Sequence, residues 1–243
     1  DTLTTQTRTV TAVAHTLSFY GTGTVVLSGV AVATVTGTGA FPTRTTLTFT
    51  PTAGSLTLTV TGSVTQAQLE AGDFPTSYIP TISASAVRSP DICSITGSDF
   101  TGFYNQSEGT FFAAADPRAT ASNATYVMAN SGSNVNQVSI FRSTTVSTFG
   151  VANVGTFTAQ ITTTSSNGSF NKIAGSYFTN DARSAFNGVL GTADTTVTVP
   201  TNLTRLNIGS AGTGSTESAN GCISSIRYFK KRLSNSKLQS LTV

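Results

Sequence analysis

Three tyrosines in this chain stand beside amide or carboxylate side chains, a pairing that suits the recognition of sugars. Tyr104 precedes Asn105 and Gln106, Tyr126 lies a few residues before Asn130, and Tyr177 leads into Asn180 and Asp181. An aromatic face stacks on a sugar ring, while amides and carboxylates bond its hydroxyl groups. Tyr104, Asn105, Tyr126, Tyr177, Asn180 and Asp181 are therefore the candidate glycan-binding residues, although each aromatic would serve equally in a core or an interface.

Catalytic and metal chemistry is less well supplied. Glycoside hydrolysis takes two carboxyl groups roughly 5 to 10 Å apart across the sugar, and the 10 carboxylates here show no paired arrangement. A Ser-His-Asp triad needs a histidine base. The only one, His15, sits at a strand start with no Gly-x-Ser-x-Gly elbow to serve, and it reads as structural. Asp181 with Asn180 and Asn187 could offer oxygen ligands to calcium, but Asn and Asp are also the preferred residues of tight turns. Turns are the expectation, with calcium a weak alternative, no other metal or cofactor, and no enzymatic activity. Cys93 and Cys222 are too few for a disulfide framework or a metal centre, and they read as reduced thiols packed in the interior, with a bridge between the neighbouring first and last strands of a sandwich as the alternative.

Composition narrows the partners. Only 9% of the 243 residues are charged, against about a quarter in ordinary globular proteins, and Thr and Ser take their place. A net charge of +3, scattered along the chain and without any Trp, gives no footprint for nucleic acid. The basic run Lys230-Lys231-Arg232 reads as a solvated turn. No apolar run approaches the ~20 residues of a membrane helix, so no membrane insertion is expected. Asp1 at the start and Met128 as the only methionine point to a processed or longer polypeptide.

The elements that must hold any site are strands. Leu17 and Phe19, Val25 and Leu27, Val30 and Val32, Leu47 and Phe49, and Leu56, Leu58 and Val60 alternate with polar neighbours, the period of half-buried antiparallel strands. Gly21-Thr22-Gly23, Gly37-Thr38-Gly39 and Pro51-Thr52-Ala53-Gly54 supply turns. From about Ala84 the strands lengthen and become more aromatic: Gly109–Ala115, Val138–Arg142, Phe157–Ile161, Lys172–Tyr177, Ser184–Leu190, Leu203–Ser210 and a last one after Asn220. Asn187-Gly188 is a strong hairpin signal, and Ser234 can cap a short final helix with Leu238 and Leu241 facing inward.

Ala67 to Thr81 breaks the alternation. Gln68 to Ala71 can form one helical turn, which Gly72 can stop. Phe74, Tyr78 and Ile79 supply apolar anchors, and Pro75 and Pro80 hold the chain extended. The segment closely resembles the Q-L-E-x-G-x-x-x-T-S-Y-I-P-T signature of tailed-bacteriophage virion proteins, head-fibre and tail-fibre chains above all. Thr16 to Gly23 and Leu47 to Thr50 resemble the domain that precedes this signature in those proteins, itself similar to carbohydrate-binding jelly rolls. Lys172 to Tyr177, Ala185 to Leu190, Arg205 to Ser210 and Gly221 to Asn235 resemble, in order and spacing, a concanavalin A-like, laminin-G-type jelly roll.

The resemblance implies an all-β protein of two antiparallel β-sandwich domains, residues 1–66 and 84–243, with a connector at 67–83. It implies a structural virion protein displayed on the particle surface: a head fibre, spike or capsid decoration protein that binds host-surface polysaccharide weakly, on the concave sheet. Its partners would be other virion proteins and copies of itself, as a trimer. Assembly in a reducing cytoplasm would keep both thiols reduced. A tail-fibre receptor-binding protein is the alternative. A secreted polysaccharide-binding or hydrolase module is a further one, against which the E-x-D-x-x-E pattern of concanavalin-like glucanases is missing. The four N-x-S/T sequons, beginning at Asn105, Asn123, Asn167 and Asn202, have no role in a phage protein.

Overall fold

Short strands with apolar residues at every second position must each bury one face, and in the computed structural model they do so around two separate cores. The structure describes residues 1–82, 84–87, 91–117, 124–143, 145–164, 170–212, 217–219 and 221–243. Asn123, Asn167 and Asn220 lie outside the described residues. The chain divides into two compact units, Asp1–Arg88 and Ser89–Val243.

The first unit has strands β1 (Gln6–Val10), β2 (His15–Tyr20), β3 (Thr24–Gly29), β4 (Ala33–Thr36), β5 (Thr45–Phe49), β6 (Gly54–Thr61) and β7 (Thr65–Ala71). They form two antiparallel sheets, β1-β6-β3-β4 and β5-β2-β7. Leu17, Phe19, Val25, Leu27, Leu56 and Leu58 fill the space between them, joined by Val10 and Val64. The abundant threonines have a structural use. Thr7 and Thr57, Thr16 and Thr48, and Thr24 and Thr36 stand opposite one another in register, with hydroxyls 3.0, 3.0 and 3.1 Å apart. Such cross-strand pairs stabilise a sheet without charge.

Two expectations fail here. Val30 and Val32 are not in a strand: β4 begins at Ala33, and Val32 is 85% exposed. Gln68 to Ala71 is not a helical turn but the end of β7, paired to β2 with Leu69 opposite Leu17. The burial that Leu69 gains against the core outweighs the helical preference of the local residues.

The same pairing explains the segment that follows. Gln68 and Glu70 project from one face of β7 and clamp the returning chain. Glu70 accepts the Thr76 N–H at 2.9 Å and its hydroxyl at 2.6 Å, while Gln68 donates to Glu70 at 2.8 Å and accepts the Ile79 N–H at 2.8 Å. Arg44 donates to the Thr76 carbonyl and to Ser18, and Thr16 donates to the Gly72 carbonyl. Residues 72–79 are thus a strap across the outward side of β2, covering Thr16 and Ser18.

The second unit comprises β8 (Cys93–Thr96), α1 (Gly97–Phe103), β9 (Gly109–Pro117), β10 (Ala124–Asn130), β11 (Gln137–Ser143), β12 (Val146–Asn153), β13 (Thr156–Thr164), β14 (Asn171–Phe178), β15 (Asp181–Phe186), β16 (Val189–Leu190), β17 (Arg205–Ile208), β18 (Gly221–Phe229) and α2 (Asn235–Thr242). A six-stranded sheet, β13-β12-β11-β10-β17-β8, faces a five-stranded one, β16-β15-β14-β9-β18. Phe111, Val127, Ile140, Phe149, Ile173 and Leu206 lie in the core between them. Asn187 and Gly188, at φ 44° and 82°, make the β15–β16 hairpin turn as expected.

Helix α2 covers the outer face of the five-stranded sheet. Leu238 is fully buried against Phe112, Ala114, Ala174 and Ala185, and the three alanines leave room for the helix. The Ser234 hydroxyl accepts the Lys237 N–H at 3.3 Å and caps the helix as expected. Ser234→Ala is expected to lower the stability of this unit by about 1 kcal/mol, read as a shifted midpoint in denaturant unfolding. Cys93 and Cys222 correct another expectation: both thiols are free but exposed, on the edge strands β8 and β18 of different sheets.

Candidate functional site

Of the six residues singled out from sequence, the structure brings Tyr104, Asn105 and Tyr177 together, with the Tyr104 and Tyr177 rings 6.5 Å apart and the Tyr177 hydroxyl donating to the Asn105 carbonyl at 3.2 Å, but with both rings as part of the core. Tyr104, Tyr126 and Tyr177 are 7%, 1% and 0% exposed and belong to the core, so no ring face is open to a sugar. Tyr104 stacks on Phe100 with centroids 4.6 Å apart and on Tyr228 at 5.3 Å. Burial pushes the hydroxyls of Tyr104, Tyr126 and Tyr177 well above the usual tyrosine range and keeps them protonated. Asn105 is committed to the fold: its amide donates to the Lys230 carbonyl at 2.9 Å and its carbonyl side-chain oxygen accepts the Ser107 N–H at 3.0 Å. Asn180 is an exposed turn residue at φ 58°, and Asp181 is ion-paired to Arg232 at 2.8 Å. His15 is buried, with Nδ1 2.8 Å from the Val13 carbonyl. Lys231 and Arg232 are paired to Glu108 and Asp181 at 2.8 Å each, so the basic run is no open polycationic patch.

A different group of residues is presented on the sheet face that carries no helix. In the six-stranded sheet Val138, Ile140, Phe149, Val151, Ala159 and Ile161 point into the core. The alternate residues Ser139, Phe141, Thr148, Gly150, Gln160 and Thr162 therefore face away from it. Register sets Ser139, Gly150 and Gln160 side by side across β11, β12 and β13. Further along β13 the pairing passes from Val151–Ala159 to Ala152–Phe157, leaving Thr158 as an extra residue. That bulge re-aims Phe157, which strict alternation would turn inward, onto the outer face.

The rings of Phe157 and Phe141 lie over Gly150. A Cβ at Gly150 would come within 2.6 Å of Phe157 Cε1 and 3.3 Å of Phe141 Cε1, so only glycine leaves room for them. Their centroids are 6.0 Å apart and their planes differ by 31°, and Phe157 remains 39% exposed. The result is an aromatic shelf open to solvent. Behind it, Ser139 Oγ and Gln137 Oε1 are buried without a hydrogen-bond partner.

Gln160 leads from the shelf into a cleft of about 200 Å³, lined by Gln160, Ile161 and Thr162 of β13 and by Thr192, Ala193 and Asp194. The far wall is fixed by backbone bonds between Asp194 and Ala182 at 2.9 and 3.0 Å. Asp194 Oδ1 accepts from the Thr196 N–H and hydroxyl, both at 2.9 Å, and among the described residues Oδ2 is uncommitted. An amide, two hydroxyls and a carboxylate beside exposed aromatic rings can bond sugar hydroxyls while a ring face is stacked. Among the described residues, Asp194 is the one carboxylate lining the cleft, and a glycosidase needs two. No group of three or more His, Cys, Asp or Glu among the described residues is placed to hold a metal ion.

Two signals in the sequence marked this site. Gly150 interrupts a strand, and Phe141 stands out of phase with Val138 and Ile140. The bulge that turns Phe157 outward has no sequence signature.

No family model matches the chain, and no curated protein matches it in sequence. Solved structures do match in fold. The CBM40 domain of Ruminococcus gnavus IT-sialidase, bound to α2,3-sialyllactose, superposes with a TM-score of 0.50 at 14% identity, over 57% of this chain and 83% of that one. A point mutant of NanB sialidase from Streptococcus pneumoniae gives a TM-score of 0.50 at 14% identity over 62% of this chain, but only 26% of the sialidase chain is spanned. These likenesses define the class: an all-β protein of antiparallel sandwiches with the jelly-roll type of fold seen in CBM40.

Proposed function

We propose that this chain is a non-catalytic, glycan-binding surface protein of a tailed-phage particle, a head fibre, spike or capsid decoration protein that holds host-surface polysaccharide weakly. The observation that carries the binding is the open Phe141–Phe157 shelf over Gly150, continuous through Gln160 with the polar cleft. The likeness in fold to a module bound to sialyllactose supports it. So does the lone carboxylate of the cleft, which favours binding over hydrolysis. The particle location rests on the resemblance of Gln68 to Thr81 to the phage signature. Display in several copies, as a trimer, would compensate for a weak single site.

Phe157→Ala in the full chain is expected to weaken binding to the polysaccharide of host cells by roughly tenfold or more, with the melting temperature little changed because the ring is partly exposed. Saturable wild-type binding that survives this substitution and Phe141→Ala would remove the shelf from the account. Labelling of purified particles with an antibody to the chain tests the location. Label on the capsid is expected, label at the tail tip favours the receptor-binding alternative, and unlabelled particles sink the virion assignment.

A further inference from the structure

The first unit carries a second open aromatic pair. Thr16, Ser18 and Tyr20 form the outward row of β2, since Leu17 and Phe19 point into the core. The strap covers Thr16 and Ser18, both fully buried, and Tyr20 is left half-exposed at the end of the row. Beside it the β2–β7 register jumps, with Ser18 opposite Gln68 and Tyr20 opposite Thr65. Gln66, within the bulge, is held at φ 45°, a conformation that a non-glycine residue adopts at some strain. Phe41 leans on Tyr20 with centroids 5.7 Å apart and planes inclined by 54°, while remaining 76% exposed.

Phe41 is not loosely tethered. Its loop is anchored by paired backbone bonds between Gly21 and Gly39 at 2.7 and 3.1 Å and closed by the Thr43 N–H donating to Ala40 at 3.0 Å. Thr45 Oγ1 further accepts the Thr38 N–H at 3.1 Å. A large apolar ring held in water by so many bonds gains nothing for the fold.

We infer that Tyr20 and Phe41 form a second saccharide platform, on the first unit, for a neutral sugar ring stacked in the notch between the two inclined rings. The surroundings decide the chemistry. Thr38 and Thr43 are exposed on either side of Phe41 in its loop, and sugar hydroxyls need such partners whereas a purely apolar partner does not. Of the nearby charged side chains, Arg44 donates to Ser18 and to the Thr76 carbonyl, and Asp1 accepts from Tyr78 at 2.8 Å. The Arg44 guanidinium is turned toward the strap by these bonds, so hydroxyls and not a charge are what the pair offers a sugar. With the shelf on the second unit, the chain has two independent contacts for one polysaccharide; that bivalency rests on the reading of the shelf given above, while the platform itself does not.

The test uses the full chain as wild type, Phe41→Ala, Phe157→Ala and the double variant, on immobilised dextran, galactan and mannan, with phosphatidylcholine vesicles as the apolar control. Phe41 is exposed, so its removal leaves the fold intact, and an unchanged melting temperature verifies this. On the polysaccharide that wild type binds, each single variant is expected to retain saturable binding weakened by roughly tenfold or more, and the double variant to lose it. Phe41→Ala binding every polysaccharide as wild type does would overturn the platform. So would wild type binding none of them, or Phe41→Ala reducing vesicle capture alone. If Phe157→Ala has no effect while Phe41→Ala abolishes binding, the platform stands and the shelf falls.

Discussion

Gly175→Ala is expected to destabilise the second unit by about 3 kcal/mol or more. Gly175 lies on β14 and faces the six-stranded sheet, where a Cβ would come within 2.0 Å of Phe149 Cδ2 and 2.2 Å of its Cγ. Phe149 is fully buried among Val127, Ile140, Val151 and Ile173, so the ring has no free volume into which to retreat. Overpacking of this kind costs about 1–3 kcal/mol and sometimes more, and no rotation of the ring escapes a clash at its own Cγ. Against a typical domain stability of roughly 5–15 kcal/mol, that is a large share. In a thermal melt the transition of the second unit should fall markedly while that of the first is unmoved. Combining the change with Phe149→Leu should recover part of the loss. An unaltered melting profile would mean that the two sheets can part more easily than the packing allows. Polysaccharide binding should fall with it, because Phe149 and Gly150 are neighbours on β12: one holds the core and the next supports the aromatic shelf.

Releasing the strap of the first unit is the other large effect. Glu70→Ala removes the acceptor for the Thr76 N–H, the Thr76 hydroxyl and the Gln68 amide together. Hydrogen bonds to a charged group contribute about 1.5–3 kcal/mol, and here three converge on one carboxylate. The expected result is a strap that lifts from β2, seen as rapid limited proteolysis between residues 72 and 82, with a lower melting temperature for the first unit. Glu70→Gln keeps an acceptor and should lie between the two. Gln68→Ala should release the Ile79 end and also loosen the Thr76 end, since Gln68 donates to Glu70 and to the Thr76 hydroxyl. Proteolysis of Glu70→Ala at the wild-type rate would show that Arg44 and the apolar anchors hold the strap unaided.

The alternation of Leu17, Phe19, Val25, Leu27, Leu56 and Leu58 determined by itself that these segments would be strands with one buried face, because a period of two admits no other regular structure. The Asn187-Gly188 hairpin and the Ser234 cap were equally legible, since both depend on local chemistry. Strand β10 was legible only as a strand between Tyr126 and Asn130: all seven of its residues are buried, so no alternation shows which face meets the core. The Gln68–Thr81 motif was visible as a motif, but its role was not. Whether Gln68 to Ala71 coils or extends depends on pairing with β2, a contact distant in sequence.

Site residues divide in the same way. Sequence offers the composition of a sugar site, aromatic rings next to amides, and so it pointed to Tyr104, Tyr126 and Tyr177. Whether a ring is buried or open depends on which sheet face it occupies and what lies over that face. The tertiary structure alone placed those tyrosines in the core, used a bulge to turn Phe157 outward, and kept Gly150 bare beneath it. The physical reason is that strand periodicity fixes alternation, whereas register, bulges and sheet packing, all non-local, decide which of the two faces meets water.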